Sequence, residues 1–408
     1  MKIVQVNTVW NRCSTGRIAA ALHALSEAAG HTSLAAYGRG PSPQALGVPG
    51  IRIGSPADFV LHVLRTFCHG SCGFGSARRT RRFLRWLDAE KPDLVHLHNL
   101  HGFYLHVGLL FDYLRERDIP VVWTLHDAWP LTGHCAFFDE SRCAKWQTGC
   151  HDCPWHRLAY PYAFLRDPSR VNWLAKRAAF SGVPRMVVAT PSEWLAGCVR
   201  RSFLRDYPVE VLPNGIDLGL FCPPEKMGKT LPRDPRLVFA AANVWEPRKG
   251  LLFLLAAADA LRDEFRFVVA GGMPPLLRRV ARRHRVVPLG RVSADELARL
   301  YRGARMFVNP TLLDNFPTTN LEALACGTPV VAFRSGGSAE CLTDRCGVAV
   351  PTGDLDAFVD AIRVLDRRIE EGQTTSSTCR EQALRYDQDV CFRRYLDLYE
   401  RLRGEGRP

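Results

Sequence analysis

The sequence predicts an α/β protein made of two doubly wound parallel-sheet domains of similar size. Three observations carry that prediction. Short β-branched runs alternate with longer segments of helical period along most of the chain, the pattern of stacked βα units. The 408 residues suffice for two or three ordinary domains, each able to bury a full apolar core. The composition, 47% hydrophobic and 23% charged, excludes a disordered or fibrous chain.

In chain order, residues 3–6, 33–37, 94–98, 121–125 and 186–189 read as strands of the first half. Between the first two, Ile18, Leu22, Leu25 and Ala29 recur near i, i+4, i+7 and i+11, one apolar helix face that can pack on a sheet. Residues 209–217 read as a strand running into the Asn214-Gly215 turn, followed by a polar, proline-containing stretch to Asp234, and the domain boundary is expected there. Strands at 237–241, 266–269, 286–289, 306–308 and 330–332 repeat the pattern. Residues 387–402 form a last amphipathic helix with Phe392, Tyr395, Leu396 and Tyr399 on one side. The expected organisation is a first domain over 1–212 with a Cys-rich insertion at 132–156, a second over 213–385, and a C-terminal helix over 386–408 that returns to the first.

Fifty-four Lys and Arg against 41 Asp and Glu give a net charge of +13, so a negative partner is expected: nucleic acid, an anionic membrane face or a phosphorylated substrate. Arg78, Arg81, Arg82 and Arg85 share one helix face, which reads as a solvated surface or as a contact for anionic lipid. The N-terminus turns polar within its first seven residues, and no run of about 18 apolar residues occurs. A cytoplasmic protein is expected, and its fourteen cysteines then read mainly as thiols, with a local cluster suggesting metal.

The chemistry concentrates in the second half. The run from Asn309 to Val331 reads as a strand, a loop carrying Asp314, a helix opened by Pro317, and a second strand. Amides of Asn315, Phe316, Thr318 and Thr319 around that helix start form a positive end where a phosphate can rest. Glu322, one turn in, can accept hydrogen bonds from sugar hydroxyls, while Asp314 reaches a different group. Upstream, Arg248 and Lys249 end a strand and open a helix, where their charges oppose the helix dipole but would neutralise a diphosphate. Gly271 and Gly272 occupy the turn after the next strand, where backbone approaches a ligand closely or simply turns tightly.

The order of Asn214-Gly215-Ile216-Asp217, Arg248-Lys249-Gly250, Gly271-Gly272, the segment 290–301 and the run from Asp314 to Val331 resembles the retaining glycosyltransferases of family 4. The similarity covers essentially the whole chain. It implies the GT-B fold, two facing Rossmann-like domains, with the first on the acceptor side and the second holding the nucleotide sugar. Asp314 and Glu322 stand eight residues apart in the register of the family's Glu-x7-Glu motif, so the resemblance implies that Glu322 binds the ribose and Asp314 contacts the transferred sugar. Asp replaces the first Glu, which changes the hydroxyls it reaches. The family's Arg falls on Val244, and Arg248 is expected to supply that charge beside Lys249. Gly16 matches the family's first glycine-rich loop with only one of its glycines. His126 ends a strand where similar enzymes keep a His beside the transferred sugar, and it could donate a hydrogen bond or stabilise developing charge there, with a buried structural His as the alternative. His96, His98 and His101 match a family segment and are expected to be structural or on the acceptor side.

Cys135, Cys143, Cys150 and Cys153 are spaced x7, x6 and x2 and end in a Cys-x-x-Cys pair. They are expected to hold a structural zinc, with His134 and His151 as substitutes and free thiols or a disulfide pair as the alternatives. No cofactor is required for catalysis on this reading. The expected function is sugar transfer from a nucleoside diphosphate sugar to a hydroxyl of a lipid-linked or polysaccharide acceptor, at the inner face of an anionic membrane and without a nucleic-acid partner. The rival readings are a basic nucleic-acid-binding protein and a catalytically degenerate scaffold. The first lacks aromatics interleaved with its basic residues.

Overall fold

A computed structural model describes residues 1–138, 143–224 and 233–404. Residues 139–142 of the Cys-rich insertion, 225–232 of the proline-containing stretch and the terminal 405–408 lie outside the described residues. The chain divides into two compact units, one formed by Met1–Pro213 with Phe392–Pro408 and the other by Asn214–Cys391.

The first unit is built on strands β1 (Lys2–Val9), β2 (Thr32–Arg39), β3 (Gly50–Arg52), β4 (Leu94–Leu97), β5 (Val121–Thr124), β6 (Met186–Thr190) and β7 (Val209–Val211). They form one sheet in the order β3-β2-β1-β4-β5-β6-β7, with parallel pairing throughout. Alternate residues explain the strand periodicity. Val4, Val6, Leu34, Val95, Leu97, Val121, Trp123 and Val188 enter the main apolar cluster of this unit. Gln5, His96 and Thr124 lie in the opposite phase and are also buried, so this sheet carries a polar layer on its second face. The helix Gln388–Gly404 supplies Tyr395 and Tyr399 to that layer.

The second unit uses β8 (Asp234–Val244), β9 (Arg266–Gly272), β10 (Val286–Gly290), β11 (Ala304–Asn309), β12 (Val330–Phe333) and β13 (Gly347–Val350). Their order is β10-β9-β8-β11-β12-β13, again parallel. Here both faces are apolar: Val238, Ala240, Met306, Val308 and Val331 enter one cluster, and Phe239, Phe307, Val330 and Ala332 the other. That two-sided burial is why these strands read as continuous apolar runs rather than alternating ones.

Three local features differ from the sequence reading. Strands β3 and β13 carry no run long enough to be recognised. The strand expected over 209–217 stops at Val211. The second crossing between units falls at Cys391/Phe392 rather than at 385/386. The reason is local: Ile216 N–H donates to Tyr386 O at 2.9 Å and Gln388 N–H to Ile216 O at 3.0 Å, which keeps residues 386–388 with the second unit.

Arg380 ties the second unit together from within. Its Nη1 donates to Phe221 O at 2.7 Å and Ala325 O at 3.0 Å, and its Nη2 to Leu218 O at 3.1 Å. Arg380→Ala strips three carbonyls of a charged donor and is expected to cost about 2–4 kcal/mol in urea unfolding, with Arg380→Lys restoring only part of it. An unchanged urea midpoint in Arg380→Ala would contradict this.

Candidate functional site

A doubly wound sheet opens a crevice where its strand order reverses, outside the carboxyl ends of the two strands concerned. In the second unit those strands are β8 and β11. Chain leaving β8 carries Arg248 and Lys249, and chain leaving β11 carries Asp314, so topology alone brings them together. Lys249 Nζ donates to Asp314 Oδ2, and Arg248 Nη1 lies 3.7 Å from the same oxygen while donating to Leu313 O at 2.8 Å. The loops are stitched by Leu312 N–H to Arg248 O at 2.8 Å. Asn315 N–H donates to Asp314 Oδ1 at 3.0 Å. Burial would raise the Asp314 carboxyl, but Lys249 and Arg248 outweigh it and hold the carboxyl below the usual range.

Gly250 follows at φ +72°, and a Cβ there would sit 1.8 Å from Pro310 O, so only glycine lets these two loops close on each other. Gly271 is comparable: at φ +126°, its Cβ would meet Ala242 O at 1.8 Å. At the end of β9, Gly271 therefore lies directly against the Ala242 carbonyl of β8. Trp245 locks the same corner, donating its amide to Gly272 O and its indole Nε1 to Ala270 O at 3.0 Å.

Pro317 is the N-cap of helix Thr318–Ala325, one position earlier than a proline in the first helical turn, and Thr318 and Thr319 supply the leading amides. Asn214 Nδ2 donates to Phe316 O at 2.9 Å, anchoring the helix entry. Glu322 is 3% exposed, and Tyr301 OH donates to its Oε2 at 3.1 Å. Sequence reasoning did not single out Tyr301. Its only signal was an aromatic residue in a helix, indistinguishable from core.

Gly16 and His126 belong to the first unit. Gly16 lies in the opening turn of helix Cys13–Ala28, with Asn11 N–H donating to Gly16 O at 3.0 Å. His126, one residue beyond Leu125, joins a chain of imidazoles. His126 Nε2 lies 3.1 Å from His98 Nδ1, His98 Nε2 is 2.8 Å from Gln5 Oε1, and the His96 and His98 rings are 4.0 Å apart. His96 in turn contacts Tyr399 OH at 2.5 Å and Thr124 Oγ1 at 2.8 Å. Burial pushes all three imidazoles down, His126 to about 4. One proton is shared between His126 Nε2 and His98 Nδ1, so one ring donates and the other accepts at that contact. Next to it, His101 Nε2 and Asp127 Oδ2 pair at 2.7 Å.

The four cysteines of the insertion come close enough to influence one another. Burial, reinforced by its three neighbours, pushes the Cys135 thiol up to about 12, and Cys150 rises to about 11, also chiefly through burial. Gly133 N–H donates to Cys150 Sγ at 3.2 Å. Among the described residues, no group of three or more His, Cys, Asp or Glu side chains is placed to hold a metal ion. Of the two substitutes, His134 bonds Ala159 O at 3.1 Å, and His151 pairs with Asp152. Lys176 is fully buried beside this region, donating to Trp129 O at 2.7 Å and Thr132 O at 3.0 Å.

Two family models match the chain. Residues 17–220 match Glycosyltransferase Family 4, and residues 234–367 match Glycosyl transferases group 1. The chain belongs to glycosyltransferase family 4. This enzyme is 25% identical over 325 residues to the putative colanic acid biosynthesis glycosyl transferase WcaC of Escherichia coli, covering 76% of this chain and 77% of that one. It is 31% identical over 214 residues to a D-inositol 3-phosphate glycosyltransferase of Xylanimonas cellulosilytica, covering 47% and 51%. Sucrose-phosphate synthase from Thermosynechococcus elongatus matches the glycosyltransferase at a TM-score of 0.74 and 18% identity, covering 99% and 100% of the two chains. Anabaena HepE in complex with UDP matches at 0.69 and 14%, covering 98% and 100%. These likenesses establish the GT-B fold.

Two measurements check the imidazole layer. At pH 7, 15N chemical shifts are expected to report His96, His98 and His126 as neutral imidazoles; an imidazolium at any of them contradicts this. Because the three folded-state pKa values lie below the unfolded value, the unfolded chain binds more protons as pH falls below about 6.5. Stability is therefore complete above that pH and declines below it, by about 1.4 kcal/mol per pH unit for each imidazole. Urea midpoints between pH 7.5 and 5.5 read this directly, and a flat profile would refute it.

Proposed function

We propose that this family 4 glycosyltransferase moves a sugar, with retention at the anomeric carbon, from a nucleoside diphosphate sugar to a hydroxyl of a lipid-linked or polysaccharide acceptor. Assembly of cell-surface polysaccharide at an anionic membrane face is the setting we infer. One observation carries the reading: two cations, one carboxylate and an open helix N-terminus converge at the switch point of the second unit.

Departure of a nucleoside diphosphate builds negative charge on the leaving oxygen. Lys249, Arg248 and the amides of Thr318 and Thr319 are donors fixed before the reaction, so they lower the barrier without reorganising. Glu322, oriented by the Tyr301 hydroxyl, accepts from the ribose hydroxyls. Asp314 accepts from hydroxyls of the transferred sugar, and its pairing with Lys249 links sugar position to diphosphate charge. His126, a neutral imidazole, hydrogen-bonds a hydroxyl of the transferred sugar. No carboxylate is assigned as a nucleophile. HepE structures with UDP and with UDP-glucose, and the colanic acid role in the WcaC name, support a nucleotide-sugar donor and a polysaccharide product.

A thermal-shift screen over UDP, GDP and ADP and their sugars is expected to find one family that raises Tm, since binding to the folded state stabilises it. No shift with any of them overturns the proposal. For the responsive donor, Lys249→Ala and Glu322→Gln are each expected to weaken kcat/KM by about ten- to hundredfold, the scale of one charge-assisted hydrogen bond. Wild-type values in either variant would remove that residue from the site.

A further inference from the structure

Helix Pro56–His69 is apolar on two sides. Inward, Phe59 and Val63 pack on the main apolar cluster beside the buried His62 and Thr66, while outward Val60, Leu61 and Leu64 are 50–54% exposed. A helix on an ordinary wet surface keeps its outer side polar. His62 is satisfied inside, 2.9 Å from Ser76 Oγ and accepting from Gly75 N–H at 3.2 Å. Val60, Leu64 and Phe67 fall at i, i+4 and i+7 on one face, and that face continues into a second segment. Phe164 N–H donates to Phe67 O at 2.8 Å, with the two rings edge to face at 5.3 Å. Asn172 Nδ2 donates to Gly70 O at 2.7 Å, bringing up helix Ser169–Phe180. The second segment exposes Leu158 (70%), Leu165 (68%), Val171 (72%) and Leu174 (52%), along with Trp155, Tyr162 and Phe164. Ten of the seventeen exposed large hydrophobic side chains among the described residues lie in these two stretches, so the patch is a concentration rather than scatter.

Its charge selects the occupant. Between residues 155 and 177 the exposed ionised side chains are Arg157, Arg166, Arg170 and Arg177 against Asp167. Asp167 is already spent, accepting from Cys153 N–H at 2.7 Å and Ser169 N–H at 2.9 Å. An apolar surface with leucines, aromatics and arginines, and almost no opposing acid, matches the boundary of an anionic bilayer. A second copy of this chain would set the same arginines against each other.

We propose that the surface of residues 60–64 and 155–174 docks on an anionic lipid membrane, inserting Leu158, Leu165 and Trp155 among the acyl chains while Arg157, Arg166 and Arg170 meet the headgroups. This gives a location to the membrane part of the proposed function and rests on that part, but not on the donor chemistry. It also moves the expected contact away from Arg78, Arg81, Arg82 and Arg85 alone.

Flotation of the full chain with phosphatidylcholine vesicles, with and without 30% phosphatidylserine, tests it. Binding is expected only with phosphatidylserine and is expected to weaken with added salt. Leu158→Asp/Leu165→Asp is expected to lower the partition coefficient at least tenfold, and Arg157→Ala, Arg166→Ala and Arg170→Ala about fivefold each. Trp155→Phe is expected to remove quenching by brominated lipid. All these positions are exposed, so Tm and the donor-induced thermal shift serve as controls and are expected to stay at wild-type values. Failure to float at any phosphatidylserine content, equal binding to neutral vesicles, or wild-type binding by the Leu158→Asp/Leu165→Asp variant overturns the proposal. So does a dimer in sedimentation that the same variant dissolves. A donor thermal shift without flotation rejects docking alone, and flotation without a donor shift rejects the transferase reading alone.

Discussion

A buried polar group must find a partner inside the protein, and that requirement shapes the first unit more than any apolar contact does. The second face of its sheet carries Gln5, His96, His98 and Thr124 where a doubly wound fold normally presents aliphatic side chains. Left unpaired, each would cost roughly 1–3 kcal/mol. His96, His98 and Thr124 are paired within this set and with Tyr395 and Tyr399, and Gln5 through its Oε1, so the C-terminal helix closes a hydrogen-bond network as well as an apolar seam. The same network reaches His126 through His98. Chain return, sheet stability and the chemistry of one imidazole therefore share a single set of contacts.

In the second unit the same requirement is met by charge. Arg248 and Lys249 would repel each other at the end of β8 without a carboxylate between them, and Asp314 fills that place while its own charge is stabilised. On the proposed function, an arriving diphosphate would meet cations already oriented, with side chains that have lost their freedom before the ligand binds. Gly250 is the constraint that makes this arrangement possible, because any Cβ there would force the two loops apart.

The net charge of +13 separates into parts with different work to do. Arg248 and Lys249 act at short range. Arg302, Arg380 and Lys176 are buried, and their hydrogen bonds go to main-chain carbonyls. The arginines around the exposed apolar surface form a further group, and composition alone does not distinguish it from the others.

The order of strands and helices, the loops bearing Arg248, Lys249 and Asp314, and the family itself were legible in the sequence. They rest on local periodicity and on motifs a few residues long. Short edge strands such as β3 and β13 were not legible, because three or four residues carry too little pattern. Nor were the partners: Tyr301 for Glu322, His98 for His126 and Tyr399 for His96 meet only in three dimensions, the last pair across 303 residues. Which face of an amphipathic helix turns inward was likewise a tertiary decision. The helix Pro56–His69 carries apolar residues around most of its circumference, and only the fold shows that Phe59 and Val63 turn inward while Val60, Leu61 and Leu64 stay exposed. Local sequence determined what each segment could become. Long-range pairing of buried polar groups decided what each one faces.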